Sequence, residues 1–230
     1  MEARLTEIPL REALHYLGWR GTPVDAPLLA QIREQCALVI KEGQPRLAMR
    51  RFALQPDGAL EGTTVVLQGG DVRAMLAPCR EAVLMAATLG AQSERLLLRT
   101  QAQDAAKALI LDAVMSAAIE AVLDGQEETL RAELSAQVLY LTDRFSPGYG
   151  DMPIAQTREI CEVLSAQRAI GLTVSAGGVM IPRKSVTAVM GVSDVPVARR
   201  PTGCAGCAAR DTCALRRRDW KAETIGTHRG

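Results

Sequence analysis

The sequence predicts a mixed fold of α-helices and β-strands in a chain of 230 residues. Apolar residues recur at helical spacing between Asp25 and Gly43, which predicts a helix with one buried face. The run 81–89 is almost wholly apolar and predicts a buried strand. The stretch 105–123 is apolar and rich in alanine, so it predicts a central helix that neighbouring elements approach closely. Together these segments predict an α+β fold.

The N-terminal segments carry the usual signals for helix ends. Pro9 fits the first turn of a short helix, and Gly18 can end it. Asp25 is a candidate N-cap for the second helix, and Gly43 follows its last turn. We therefore expect two helices within residues 1–45, which we describe as an N-terminal helical part.

The middle of the chain gives one further strand and the bounds of the long helix. Residues 63–67 are rich in β-branched side chains and predict a strand. Thr100 and Gln103 have the spacing of a capping box, so we expect the long helix to begin near them. Gly125 is its expected end.

Prolines and glycines predict two shaped turns in the C-terminal half. Residues 143–153 contain two of each and cannot form a regular helix. Pro153 then opens another helix that Gly171 ends. Two β-rich runs flank residues 182–185, which predicts a hairpin with its turn there.

Composition limits the choice of compartment and partner. The net charge is +1, which gives no reason to expect nucleic acid or a membrane as a partner. The longest apolar stretch, 82–91, is about half of the roughly 20 residues that span a bilayer. The first residues lack the apolar run of a signal peptide, so we expect a cytoplasmic protein. In a reducing compartment its six cysteines are thiols or metal ligands, with Cys36 and Cys161 on apolar helical stripes as core thiols.

The chain changes character near residue 195. From there it contains prolines, three of the six cysteines and a run of three arginines. We therefore divide it into a domain of residues 1–194 and a Cys-rich, basic tail of residues 195–230.

The most informative segment is Arg144-Phe145-Ser146-Pro147-Gly148-Tyr149. The chain has only two Trp, three Tyr and two Phe residues, and two of these aromatics lie in this turn. An arginine fork binds a carboxylate through two hydrogen bonds, and a tyrosine face attracts a cation such as a sulfonium. Glycine lets the backbone come close to a ligand. The alternative is a surface turn with a solvated Arg144 and with Tyr149 packed as a lid.

This segment, continued to Pro153, resembles the S-adenosylmethionine-binding signature Arg-x-x-x-Gly-Tyr of the activation domain of cobalamin-dependent methionine synthase. The similarity continues through IGLTVSAGGVMIPRKSVTAVMGV and includes the alanine-rich helix, so that it covers most of residues 70–192. It implies a twisted, largely antiparallel sheet with packed helices. It also implies that Arg144 holds the ligand's carboxylate, that Gly148 and Tyr149 form the wall at its methionine end, and that Glu120 is a polar contact near the nucleoside or amino group.

Two departures from the family pattern affect what the resemblance implies. The family has proline directly after the tyrosine, whereas Gly150 stands here and predicts a looser loop. The chain also has no room for the corrinoid, folate and homocysteine modules of a full methionine synthase. Any cobalamin is therefore expected on another polypeptide.

The resemblance implies a role in reductive methylation. One electron returns an inert cobalt(II) corrinoid to cobalt(I), which takes the methyl group of S-adenosylmethionine as S-adenosylhomocysteine leaves. The chain would position the sulfonium methyl group, a proximity effect, and so contribute to a methyltransferase activity together with its partner. The implied partners are a core methionine synthase or another corrinoid-binding protein, and an electron donor.

The tail contains a candidate metal centre. Cys204, Cys207 and Cys213 have the spacing Cys-x2-Cys-x5-Cys, which suits iron–sulfur or zinc. We favour a [4Fe–4S] cluster over zinc, because corrinoid reduction needs an electron that zinc does not carry. The fourth ligand is open between Cys79, a partner's residue, a small molecule and none. An inert tail or a disulfide is the alternative.

Two other functions stay open at this stage. One is a binding module that clamps a corrinoid domain without S-adenosylmethionine chemistry and carries a structural zinc site in its tail. The other is an iron–sulfur electron-transfer protein that reduces corrinoids without methylating them. Binding of S-adenosylmethionine would distinguish the reactivation role from both of these alternatives.

Overall fold

The computed structural model describes residues 3–19 and 23–197. At its centre lies a four-stranded sheet in which every neighbouring pair is antiparallel. Strands are numbered along the chain, and the spatial order is β1 (Arg46–Ala53), β2 (Glu81–Thr88), β6 (Ser185–Ser193) and β3 (Tyr140–Leu141). A separate two-stranded hairpin consists of β4 (Thr173–Val174) and β5 (Met180–Ile181). The predicted α+β fold with an antiparallel sheet is confirmed.

Four helices cover one side of the sheet, which we call the helical face. The longest, α5, packs against the other three and against the sheet, and it contributes buried residues along most of its length. The four are α1 (Leu10–Tyr16), α2 (Ala26–Glu42), α4 (Ala91–Gln103) and α5 (Ala105–Ser135).

Three short helices and several irregular segments cover the opposite side, which we call the loop face. They are α3 (Gly70–Leu76), α6 (Gln156–Val163) and α7 (Ala166–Ile170). Strand β2 serves both sides, because side chains alternate along a strand. Val83 and Met85 belong to the core under the helical face, and Ala82 and Leu84 to the core under the loop face.

The predictions for the N-terminal part and for β2 are confirmed. Helix α1 begins directly after Pro9 and α2 directly after Asp25, and Gly43 is the C-cap of α2. The backbone N–H of Gly18 bonds to the His15 carbonyl just beyond α1. Strand β2 ends one residue short of the predicted run, at Thr88.

The predicted strand at residues 63–67 is wrong. Within that stretch, Val66 forms one isolated bridge, with Ala59, and no ladder develops. The Thr63 hydroxyl turns the chain instead, since it donates to the Leu60 carbonyl and accepts from the Val65 N–H. A β-rich composition therefore does not make a strand where local side-chain bonds favour a turn.

Both predicted ends of the long helix are wrong. Thr100 lies inside α4, and α5 begins instead after Asp104, whose carboxylate accepts from the Lys107 N–H at 2.9 Å. Gly125 does not end α5, which continues to Ser135. The extra turns bury Leu130 and Leu134, and that apolar burial outweighs the modest cost of one interior glycine.

The predicted hairpin turn at residues 182–185 is also wrong. The turn between β4 and β5 lies earlier, at 175–179, and β6 pairs with β2 rather than with β5. The segment before β6 is attached to the helical face by ion pairs, from Arg183 to Glu94 at 2.6 Å and from Lys184 to Asp112 at 2.8 Å.

Residues 198–230 lie outside the described part of the chain, and with them the three tail cysteines. Strand β6, the last regular element of the described part, ends at Ser193. The division into residues 1–194 and 195–230 stays a prediction. None of the helices in residues 3–19 and 23–197 combines the length and apolarity needed to span a bilayer.

Candidate functional site

The loop of residues 143–153 begins at the sheet and folds back on itself. The backbone groups of Phe145 and Val189 exchange two hydrogen bonds of 2.8 Å, which fix the start of the loop to β6. Tyr149 N donates to the Ser146 carbonyl and Met152 N to the Tyr149 carbonyl, each at 3.1 Å. The resulting double turn places Tyr149 at its tip with 71% of its surface exposed.

Arg144 points the other way, toward α5. Its Nη2 lies 2.6 Å from Asp124 Oδ1 and 3.2 Å from Glu120 Oε2, and its Nη1 lies 3.0 Å from Glu127 Oε2. Positions 120, 124 and 127 share one face of a helix, so α5 presents three carboxylates to one guanidinium group. Arg144 and Glu120, which were predicted to contact different parts of a ligand, form an ion pair with each other.

The cluster around Arg144 carries a net negative charge. Arg131 adds a second guanidinium group, 2.7 Å from Glu127. Burial raises the pKa of Glu120, and the nearby Asp124 and Glu12 carboxylates raise it further, while Arg144 opposes the shift. Three carboxylates of α5 face the two guanidinium groups, and this excess of carboxylates favours a cation such as an ammonium or sulfonium.

One nitrogen of Arg144 forms an ion pair without a well-aligned hydrogen bond. Its Nη1 is buried and, within the described residues, makes no hydrogen bond. The 3.0 Å distance to Glu127 is an ion-pair distance at which hydrogen-bond geometry is not met. Because Glu127 Oε2 already faces Nη1 at 3.0 Å, a ligand carboxylate at this nitrogen would take the place of the Glu127 carboxylate.

The two glycines of the loop occupy left-handed backbone conformations. Gly148 has φ +90°, and a Cβ there would lie 3.0 Å from Ile154 Cδ1. Gly150 has φ +53°, and a Cβ there would collide with the Asp71 carboxylate. Proline is confined to φ near −65° and cannot adopt this turn. The left-handed conformation at position 150 therefore excludes the proline of the family pattern.

The sequence reasoning missed Asp124, Glu127 and Asp151. The first two were detectable, because with Glu120 they form a carboxylate stripe at helical spacing. Asp151 contacts residues 80 positions earlier, and only the adjacent glycines at 69 and 70 indicate a close backbone approach there.

The cysteines of the described part are isolated thiols. Cys36 and Cys161 are buried, which confirms them as core residues. Burial raises the pKa of each, and of Cys79, to about 11. Within residues 3–19 and 23–197, no group of three or more His, Cys, Asp or Glu side chains is arranged so that it could hold a metal ion.

The comparisons with known proteins show a shared fold. No protein-family model matches the chain, and no curated protein matches it. Among solved structures, the crystal structure of the MetH reactivation domain bound to AdoHcy matches with a TM-score of 0.58 and 16% sequence identity. The match covers 86% of this chain and 79% of that chain. At this level of identity the match concerns the fold, which the chain has in common with the MetH reactivation domain.

Proposed function

We propose that this chain binds S-adenosylmethionine between the 144–149 loop and α5, and presents its methyl group to a corrinoid on another protein. The observation that carries the proposal is the largely buried guanidinium group of Arg144, which lies between the loop and a row of three carboxylates on α5. The shared fold with a domain that has AdoHcy bound, the demethylated form of the same ligand, supports this assignment.

Each residue of the proposed site has a separate part. Arg144 donates from Nη1 to the ligand's carboxylate, and Glu120 with its neighbours on α5 attracts the cationic groups. Tyr149 offers an exposed aromatic face at the tip of the loop. Gly148 lets the backbone approach the ligand. When bound, S-adenosylmethionine supplies an electrophilic methyl group, which these residues orient.

The proposed role is reactivation of an oxidised corrinoid protein. The partner is a core methionine synthase or a related corrinoid methyltransferase component, and a separate donor supplies one electron. The face with Tyr149 is the one that meets the corrinoid, because the methyl group must come within about 3–3.5 Å of its acceptor. The net charge of +1 gives little long-range steering, so association should depend weakly on salt.

Binding is tested by calorimetry with S-adenosylmethionine. We expect saturable binding, weakened by about 1.5–3 kcal/mol in Arg144→Ala through loss of a charged hydrogen bond. Arg183→Ala is the matched control, because it removes an arginine whose ion pair with Glu94 lies outside the proposed site. Equal affinity in the two variants would remove Arg144 from the site.

Reactivation is tested with a cobalt(II) corrinoid partner, a one-electron reductant and S-adenosylmethionine. Formation of methylcobalt, followed by visible absorption, should require this chain and should slow sharply in Tyr149→Ala. Equally fast conversion in the absence of the chain would contradict the reactivation role.

For the tail we propose a metal centre at Cys204, Cys207 and Cys213, which lie outside the described residues. The proposal is supported by their spacing. Anaerobically purified protein should contain iron and sulfide and absorb in the visible region. The double variant Cys204→Ser, Cys207→Ser should lose both, whereas Cys79→Ser should keep them. Stoichiometric zinc without sulfide would exclude electron transfer through the tail.

A second candidate function is a clamp that binds a corrinoid domain without S-adenosylmethionine chemistry. The observation that favours it is the engagement of Arg144, whose guanidinium group already faces three carboxylates. Tight association with a corrinoid-binding partner, together with no heat of S-adenosylmethionine binding, would support this function instead.

A further inference from the structure

The loop that carries Tyr149 is joined to a distant part of the chain by one side chain. Both oxygens of the Asp151 carboxylate accept backbone hydrogen bonds, from Gly70 N at 2.5 Å and from Asp71 N at 3.0 Å. Gly70 and Asp71 are the first two residues of α3. We call this pair of bonds the Asp151 cap.

The Asp151 cap satisfies backbone groups that the helix itself cannot. The first N–H groups of a helix have no partner in the preceding turn, and a negative charge there is favourable. These two bonds lower the pKa of Asp151, as expected for a carboxylate that accepts hydrogen bonds in its charged form. Asp151 is exposed to solvent, yet its carboxylate is held by these two backbone hydrogen bonds.

Glycines on both sides allow the two backbones to approach each other. A Cβ on Gly69, which has φ +114°, would lie 2.8 Å from Asp151 Oδ1 and 3.2 Å from the Met152 backbone. A Cβ on Gly150 would collide with the Asp71 carboxylate and lie 3.2 Å from Phe145 Cζ. The close contact between the loop and α3 thus depends on glycine in each of the two segments.

The Asp151 cap lies in the same turn of the loop as Tyr149, the residue proposed to face the ligand. Tyr149 and Asp151 belong to one turn, since Met152 N donates to the Tyr149 carbonyl and Gly148 N donates to the Met152 carbonyl at 2.9 Å. The loop is attached to β6 at Phe145, upstream of this turn, and to α3 at Asp151, within it. Loss of the second attachment would leave the turn held at Phe145, by its own bonds and by the buried side chain of Met152.

We propose that Asp151 is a positioning residue, which fixes the orientation of Tyr149 by joining the loop to the N-terminus of α3. The proposal rests on the proposed function, because it concerns the same ligand surface. A turn that is ordered before binding avoids the entropy cost of ordering it on the ligand. Asp151 itself need not touch the ligand.

The test compares Asp151→Ala and Asp151→Asn with a control elsewhere. Asparagine keeps one acceptor oxygen and turns an NH₂ group toward the other N–H, so its effect should be intermediate. The matched control is Asp57→Ala, because Asp57 is also exposed and also accepts a backbone bond, from Ala59 N at 3.0 Å. We expect S-adenosylmethionine affinity to fall about tenfold in Asp151→Ala, about threefold in Asp151→Asn and not at all in the control.

A second measurement reports on Tyr149 without any ligand. Incorporation of 3-fluorotyrosine labels the three tyrosines, and Tyr149→Phe assigns the resonance of interest. In Asp151→Ala the Tyr149 fluorine resonance should move toward that of the free amino acid, while those of Tyr16 and Tyr140 stay in place. A cap that merely stabilised α3 would leave the Tyr149 resonance unchanged.

The two measurements keep the two proposals apart. If the unaltered chain binds no S-adenosylmethionine, the proposed function fails, and the fluorine resonance alone decides whether Asp151 orients Tyr149. If the unaltered chain binds and only the affinity or only the resonance changes in Asp151→Ala, the positioning role is overturned. It is also overturned if neither changes.

Discussion

The helical face and the loop face of the sheet are covered in different ways. On the helical face, α5 alone has 31 residues, and long helices satisfy their backbone groups internally. On the loop face the helices have seven, eight and five residues, and side chains serve as partners for much of the backbone. Gln156 bonds to Gln68 N and the Val66 carbonyl, and Arg158 bonds to the carbonyls of Val174 and Ser175.

This difference matters for the candidate site, which lies where the two faces meet. Arg144 joins the 143–153 loop to α5 on the helical face, and Asp151 joins it to α3 on the loop face. Irregular backbone needs such contacts, because buried or crowded N–H and C=O groups must find partners. The fold thus places a shaped loop between a rigid helix and a set of short elements fixed by polar side chains.

The largest expected effect tests whether apolar burial stabilises the helical face. Leu123 on α5 is fully buried, so Leu123→Ala should lower the free energy of unfolding by about 2–5 kcal/mol. Leu109 on the same helix is 65% exposed, and Leu109→Ala should change it by no more than about 0.5 kcal/mol. Denaturant unfolding of both variants measures the difference, and equal effects would contradict this account of α5.

The next effect tests close packing on the loop face. A Cβ on Gly191 of β6 would overlap the Cys79 sulfur and lie 2.7 Å from Leu76 Cδ2. Gly191→Ala should therefore destabilise the chain by about 1–3 kcal/mol, and adding Cys79→Ala should recover part of the loss. Gly125→Ala is the control on the helical face. A Cβ there meets nothing, so it should stabilise α5 by about 0.5–1 kcal/mol. Thermal unfolding should show a lower melting temperature for Gly191→Ala and a higher one for Gly125→Ala.

A smaller effect of opposite sign is expected inside the helical core. Gln35 on α2 is 1% exposed, and neither of its side-chain polar atoms makes a hydrogen bond within the described residues. Gln35→Met keeps the length of the side chain and removes the unpaired groups, so it should raise the free energy of unfolding by about 1 kcal/mol. Gln31→Met, exposed on the same helix, should be neutral. A loss of stability in Gln35→Met would indicate that the amide has a partner.

The smallest effect concerns the pH dependence of stability that comes from Glu120, at the boundary between the two faces. The pKa of Glu120 is raised above 4.5, mainly by burial, so its stabilising contribution is complete below that pH and is lost as pH rises through the folded-state pKa. Glu120→Gln should therefore gain stability at neutral pH by less than about 1 kcal/mol, since the group is more than a third exposed. Melting temperatures across a pH series, with Glu133→Gln as an exposed control, should show the gain vanish in acid.

Prediction from the sequence succeeded where local rules decide the structure. The ends of α2 lie at the predicted residues Asp25 and Gly43, although the Asp25 side chain makes no capping hydrogen bond, and the strand β2 follows from an apolar run of the right length. Prediction failed where contacts between residues distant in the sequence decide the structure. Gly125 is a helix stop by local rules, yet burial of Leu134 nine residues later keeps α5 helical.

The sequence by itself determined the α+β class, the helices of the N-terminal part and the irregular loop with Arg144 and Tyr149, because periodicity, capping residues and paired prolines and glycines act over a few positions. The tertiary structure decided that β6 pairs with β2, that Arg144 faces three carboxylates of α5, and that Asp151 caps α3. Those contacts join residues from about 20 to about 100 positions apart. Their energies depend on burial and on close backbone approach, which exist once the chain has folded.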